Sequence, residues 1–124
     1  MSWKHEIIRA LLIALGSFQI ITNTMYLTRK NGLILARKQH SELPPSVTDK
    51  QIKVKAICML VVGAVLFTVS LLSYILRTYL STPITIALSL LVVYGITEVL
   101  YYRYWKTFGF AAVTIVLLIV GSFI

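Results

Sequence analysis

"AICMLVVGAVLFTVSLLSYIL", residues 56–76, decides the fold, because its 21 residues carry no charge. A helix rises about 1.5 Å per residue, so about 20 apolar residues cover the roughly 30 Å of hydrocarbon in a bilayer. Three other stretches read the same way: Ile7 to Leu27, Pro83 to Tyr102, and Phe108 to Ile124. The first is the most polar, with Arg9, Gln19 and Asn23 inside it. The Pro83 stretch carries one charge, Glu98, and the last carries none. Closed β-barrels also span membranes, but their strands alternate with period 2. "VVGAVLFTVSLL" (61–72) and "AAVTIVLLIV" (111–120) are continuous apolar runs, so helices are expected. The expected fold is an all-α integral membrane domain over residues 1–124. Its four spans form an antiparallel bundle, with one long basic cytoplasmic loop, 28–55, between the first two.

Composition points the same way. The 124 residues are 58% hydrophobic and only 13% charged, with a mean hydropathy of +0.85. A soluble domain carries about 25% charged residues, and a small one keeps much of its surface exposed. The first span does not read as a cleavable signal, since its basic cluster follows the apolar run and "TNTMYLTRK" (22–30) has no small-x-small site. A single cysteine, Cys58, leaves no intrachain disulfide and no thiolate metal cluster.

The net charge of +8 is unevenly placed. Segment 28–55 holds Arg29, Lys30, Arg37, Lys38, Lys50, Lys53 and Lys55, and 103–107 holds Arg103 and Lys106. The opposite side has Lys4, Arg9 and Arg77, so the balance is nine against three. Basic loops stay in the cytoplasm, which places both termini outside a bacterial plasma membrane. Arg29, Lys30, Lys53, Lys55, Arg103 and Lys106 are then the expected contacts for anionic inner-leaflet lipid, at about 1 kcal/mol each near the surface. Retention of basic loops accounts for the charge without nucleic acid, for which no module is present.

The connections carry their own signals. Thr82 is placed to cap the third span, with Pro83 at the first helical position. "RYWKT" (103–107) makes a tight hairpin of spans three and four. In the long loop, Gly32 can break the first helix, and "LILARKQHSEL" (33–43) can form a short helix at the lipid surface, ended by Pro44-Pro45. "TDKQ" (48–51) is a capping box, so the next helix is expected to start near Asp49.

Inside the spans, Arg9, Gly16 and Asn23 repeat at seven, and Leu12, Gln19 and Tyr26 repeat at seven with an offset of three. Together they make one face with coiled-coil periodicity, suited to packing and interhelical hydrogen bonds. Gly63, Phe67, Ser70 and Tyr74 on the second span, and Phe110, Thr114, Leu117 and Gly121 on the fourth, suit packing too. Glu98 lies four residues before Tyr102, roughly 6 Å below the inner boundary. An intramembrane carboxylate is a functional candidate by default. The competing reading is an end-of-helix ion pair with Arg103 or Lys106, or a hydrogen bond to Asn23. His5 and His40 fall on opposite sides and cannot share a metal or haem. His40-Ser41-Glu42 reads as a solvated loop rather than a triad.

In span count and length the chain resembles the small multidrug exporters. Those carry their glutamate in the first span and have short loops throughout, unlike this chain. "YYRYWKTF" (101–108) resembles the arginine–tryptophan segment of small four-span polyprenyl-glucose flippases, at a different place in the chain. Neither resemblance carries residues over, and neither assigns a family. The expected function is a non-enzymatic accessory, assembly or protective subunit that binds a larger membrane protein, without cofactor or metal. The alternative is a small homo-oligomeric transporter or lipid-carrier flippase that uses Glu98.

Overall fold

The computed structural model describes residues 3–41 and 43–123; Glu42 and the last residue of the 108–124 span lie outside them. Among the described residues the chain is all helical. The helices are α1 (Trp3–Thr28), α2 (Gly32–Gln39), α3 (Asp49–Ile75), α4 (Ser81–Tyr102) and α5 (Trp105–Phe123). All but α2 are long and apolar enough to cross a membrane. This is the architecture of an integral membrane protein.

Each boundary has a local cause. Thr48 accepts from the Gln51 backbone N–H at 3.2 Å, and the Gln51 side chain accepts from the Thr48 N–H at 2.8 Å. This reciprocal box starts α3 at Asp49. At 27 residues, α3 is about 40 Å long, so its first turns stand beyond the apolar run. The start of α4 corrects the sequence reading. The helix begins at Ser81, with Leu80 as an N-cap that offers no side-chain bond, so Thr82 is not the cap. Pro83 still sits in the first turn, where its missing N–H breaks no intrahelical bond. Arg103 closes α4 in the left-handed conformation, φ 50°, and its N–H bonds the Val99 carbonyl at 2.9 Å. The connection to α5 therefore shrinks to Arg103 and Tyr104.

α1 packs most extensively on α3, and α4 on α5, while α3 joins α4 more thinly. At one end of the molecule, Arg9 of α1 reaches Ser73 of α3. In the middle, Gly16 faces Gly63. At the other end, Gln51 of α3 meets Tyr101 of α4. The basic segments 28–55 and 103–107 therefore meet at one end, which we call the basic end. Near the opposite end an apolar cluster of Ile8, Leu12, Leu66, Ile84, Ala87 and Leu88 ties α1, α3 and α4 together.

Gly16 and Gly63 let α1 and α3 approach backbone to backbone. A Cβ on Gly16 would stand 2.6 Å from the Phe67 nitrogen and 2.8 Å from the Gly63 carbonyl. Small residues serve this purpose at membrane helix contacts. Replacing Gly16 by Ala is expected to lower stability by about 1–3 kcal/mol through overpacking. Gly109 has nothing within 4 Å of a built Cβ, so Gly109→Ala is the matched control and should cost nothing measurable. Thermal melts of both variants in one detergent check the pair; equal losses would remove the close-approach account.

Candidate functional site: a buried charge pair beside a cavity

Glu98 lies near the basic end of α4 and is only 3% exposed. Its partner is neither Arg103, Lys106 nor Asn23. Lys55, on the second turn of α3, donates from Nζ to Glu98 Oε1 at 2.5 Å. Lys55 is 1% exposed, which also corrects its reading as a lipid contact: it points into the bundle, not out to headgroups. The ammonium also sits 4.2 Å from the ring centroid of Phe110 on α5 and 4.8 Å from that of Tyr94 on α4. One lysine thus draws α3, α4 and α5 together through an ion pair and two cation–π contacts. The Tyr94 hydroxyl faces Glu98, but Glu98 Oε2 accepts no hydrogen bond of normal geometry among the described residues.

A signal for Lys55 was present in the sequence. Ile52, Lys55, Ala56, Met59, Gly63 and Leu66 follow one another at steps of one, three and four, and all are buried. Lys55 prolongs the inward stripe of α3 by one turn. Counting the apolar run alone leaves it just outside the span and hides this. Arg103 is exposed because its left-handed backbone turns it away from α4. Lys106 is exposed too, with its ammonium 5.3 Å from the Trp105 ring. Arg29, Lys30 and Lys53 are exposed at the same end.

A second polar group ties α2 down. Asn23 is fully buried; its amide donates to the Gln19 carbonyl and the Gln19 side-chain oxygen, both at 2.8 Å. Its own Oδ1 accepts from His40 Nε2 at 3.0 Å. Tyr26 bonds Gln39. His40, 4% exposed, is therefore a packed residue and not part of a solvated loop. Ala36 is fully buried, and Ala36, Leu43, Val47 and Ile52 form a small core with Tyr26, Leu33 and Tyr102 against it. So α2 is seated on α1 and α3 by one face, while Ile34 and Leu35 remain exposed on the other.

Arg9 anchors the opposite end. It donates to the Ser73 carbonyl at 3.0 Å and to Glu6 at 2.7 Å, over the Tyr74 ring at 4.2 Å. His5 stacks on Tyr79 nearby at 3.9 Å. The seven-residue series thus ends in three buried side chains or close approaches, Arg9, Gly16 and Asn23, with Gln19 partly buried between them.

A cavity of about 560 Å³ opens between α3 and α4 at the basic end. Lys50, Gln51, Lys55, Cys58, Glu98 and Tyr101 are among its lining residues. A second cavity, about 310 Å³, continues along the same pair of helices and shares Cys58 and Tyr94 with the first. Among the described residues, no group of three or more His, Cys, Asp or Glu side chains could hold a metal ion. Comparison with protein-family models, with curated proteins and with solved structures found no match.

Removing one member of a buried pair leaves the other charge uncompensated, which costs about 3–5 kcal/mol, while replacing both by apolar groups is often neutral or better. Lys55→Met is expected to cost an amount in that range, because Glu98 loses its donor. The double variant Lys55→Met/Glu98→Leu should recover most of the loss. Thermal melts of both in mild detergent measure the difference, and a double variant as unstable as the single would show that the pair is not the source.

Proposed function

We propose that the chain is a small non-enzymatic accessory, assembly or protective subunit that binds a larger membrane protein. Its four long helices cross a bacterial plasma membrane as an antiparallel bundle, with both termini outside and segments 28–55 and 103–107 in the cytoplasm. The observation that carries this reading is the pairing of Glu98 with Lys55. The carboxylate is neutralised within its own chain, as suits a group that fastens helices. The pairing of α1 with α3 and of α4 with α5 supports the bundle, and nine basic residues against three support the orientation. Much of α5 faces outward, including Val113, Val116 and Ile119, and offers an apolar face to a partner or to lipid.

The second reading is a small homo-oligomeric transporter or lipid-carrier flippase. It is favoured by one observation: Glu98 lines the α3–α4 cavity. The two readings diverge on a variant that folds but has no exchangeable proton at this site. For an accessory subunit, Lys55→Met/Glu98→Leu should insert, fold and retain its cellular role, and the wild type should copurify with a larger membrane protein in mild detergent. Loss of the role in that double variant at normal stability, together with copurification of the chain only with itself, would replace the accessory reading with the transporter. Orientation is checked separately in a Cys58→Ala background. Cysteine at the exposed position of Lys4 should react with an impermeant reagent on intact cells, and cysteine at the exposed position of Lys38 should not.

A further inference from the structure

We propose that the groove between α3 and α4 holds one anionic phospholipid, headgroup at the basic end and one acyl chain along the helices. The proposal rests on the membrane reading above and adds a bound partner with a defined seat.

The two cavities share Cys58 and Tyr94 as lining residues and follow one another along α3 and α4, and we take them as one groove whose chemistry changes along its length. The wide end holds the charged and hydrogen-bonding groups. Lys50 is exposed at the mouth, Gln51 donates to the Tyr101 hydroxyl beside it, and the buried Lys55–Glu98 pair forms the floor. Two lysines against one glutamate leave this end with an excess of one positive charge. The narrow end is aliphatic, with Val61, Val62 and Val65 on one side and Ala87 and Leu90 on the other. From Lys55 to Val65 the groove follows ten residues of α3, about 15 Å, which is half the hydrocarbon thickness of a bilayer. The headgroup end thus falls at an interface and the aliphatic end at the midplane, the profile of a lipid in one leaflet. General attraction of a basic surface for anionic lipid would need none of this, and the exposed Lys53 supplies that contrast on the same helix.

The test uses the full chain, reconstituted in nanodiscs of equal parts phosphatidylglycerol and phosphatidylcholine, then taken into mild detergent for native mass spectrometry. Phosphatidylcholine lacks the net negative charge. The expected result is retention of about one phosphatidylglycerol per chain. Lys50→Gln should weaken retention about tenfold, the scale of one lost charge-assisted bond, whereas Lys53→Gln should change it less than twofold. Val61→Trp, which fills the aliphatic end, should also reduce it. Cys58 provides a readout in the unmodified protein, since bound phosphatidylglycerol should slow its alkylation by an apolar maleimide and phosphatidylcholine should not. Glycerol phosphate should fail to compete; competition would replace the lipid with a soluble phosphate. Equal retention of the two lipids, or equal small effects of the Lys50 and Lys53 variants, would reduce the groove to ordinary lipid contact and overturn the proposal. A chain that does not enter the nanodisc at all would instead refute the membrane reading.

Discussion

The ion pair between Lys55 and Glu98 is the constraint on which the arrangement of the helices turns. An uncompensated charge at this burial would be costly in any protein, and more so beside hydrocarbon. Each charge is acceptable only because the other lies 2.5 Å away. The pair therefore fixes the register between α3 and α4: sliding either helix by one turn would part the charges. It does so where apolar packing does least. α1 and α3 are held by a glycine-mediated close approach, and α4 and α5 by Gly95 against Ala111 and Thr114. The join between these two helix pairs has the apolar cluster near one end and, at the other, the ion pair lining a cavity that a second cavity follows along the same helices.

Desolvation explains why the pair is built as it is. A lysine ammonium is strongly hydrated, and a single carboxylate oxygen does not replace its water. The rings of Phe110 and Tyr94 supply further negative electrostatic surface around it. Phe110 belongs to α5, so the same ammonium that sets α3 against α4 also orients the α4–α5 hairpin. Arg9 is handled in a similar way at the other end, with a carbonyl, a carboxylate and the Tyr74 ring around one guanidinium. Both cations lie in the inward stripes of their helices, at the ends and not in the middle, where headgroups and water shorten the distance to a polar medium.

The helical character and the four long apolar helices were legible in the sequence because they depend on sums over about 20 residues, which tolerate local exceptions. The start of α3 was legible because the Thr48–Gln51 box is a local code. What failed were readings that depend on which helix faces which. Nearness in sequence matches Glu98 with Arg103 and Lys106, but the left-handed turn at Arg103 redirects the chain after α4. Depth alone makes Asn23 a candidate partner for Glu98, whereas Asn23 holds His40 and Gln19 instead. The long uncharged run begins one residue after Lys55, so hydropathy alone places this lysine among the lipid contacts. The burial stripe along α3 would have placed it inside, but only once that stripe was given priority over the edge of the hydropathy window.

That last conflict has a physical resolution that bears on how a small membrane domain can carry polar groups at all. A hydropathy window treats each residue as facing the average medium. A lysine on an inward stripe faces the medium its neighbouring helices provide, and here that medium is a carboxylate and two aromatic rings. Burial and ionisation are therefore compatible, but only while α3, α4 and α5 stay together. The polar groups of α3 and α4 are also the groups that line the cavity, so helix association and the polarity of the cavity floor depend on the same side chains. A ligand entering there would meet a site already neutralised internally. It would be held by the remaining charge at the mouth and by its apolar body along the aliphatic end, without needing to break the pair that holds the bundle.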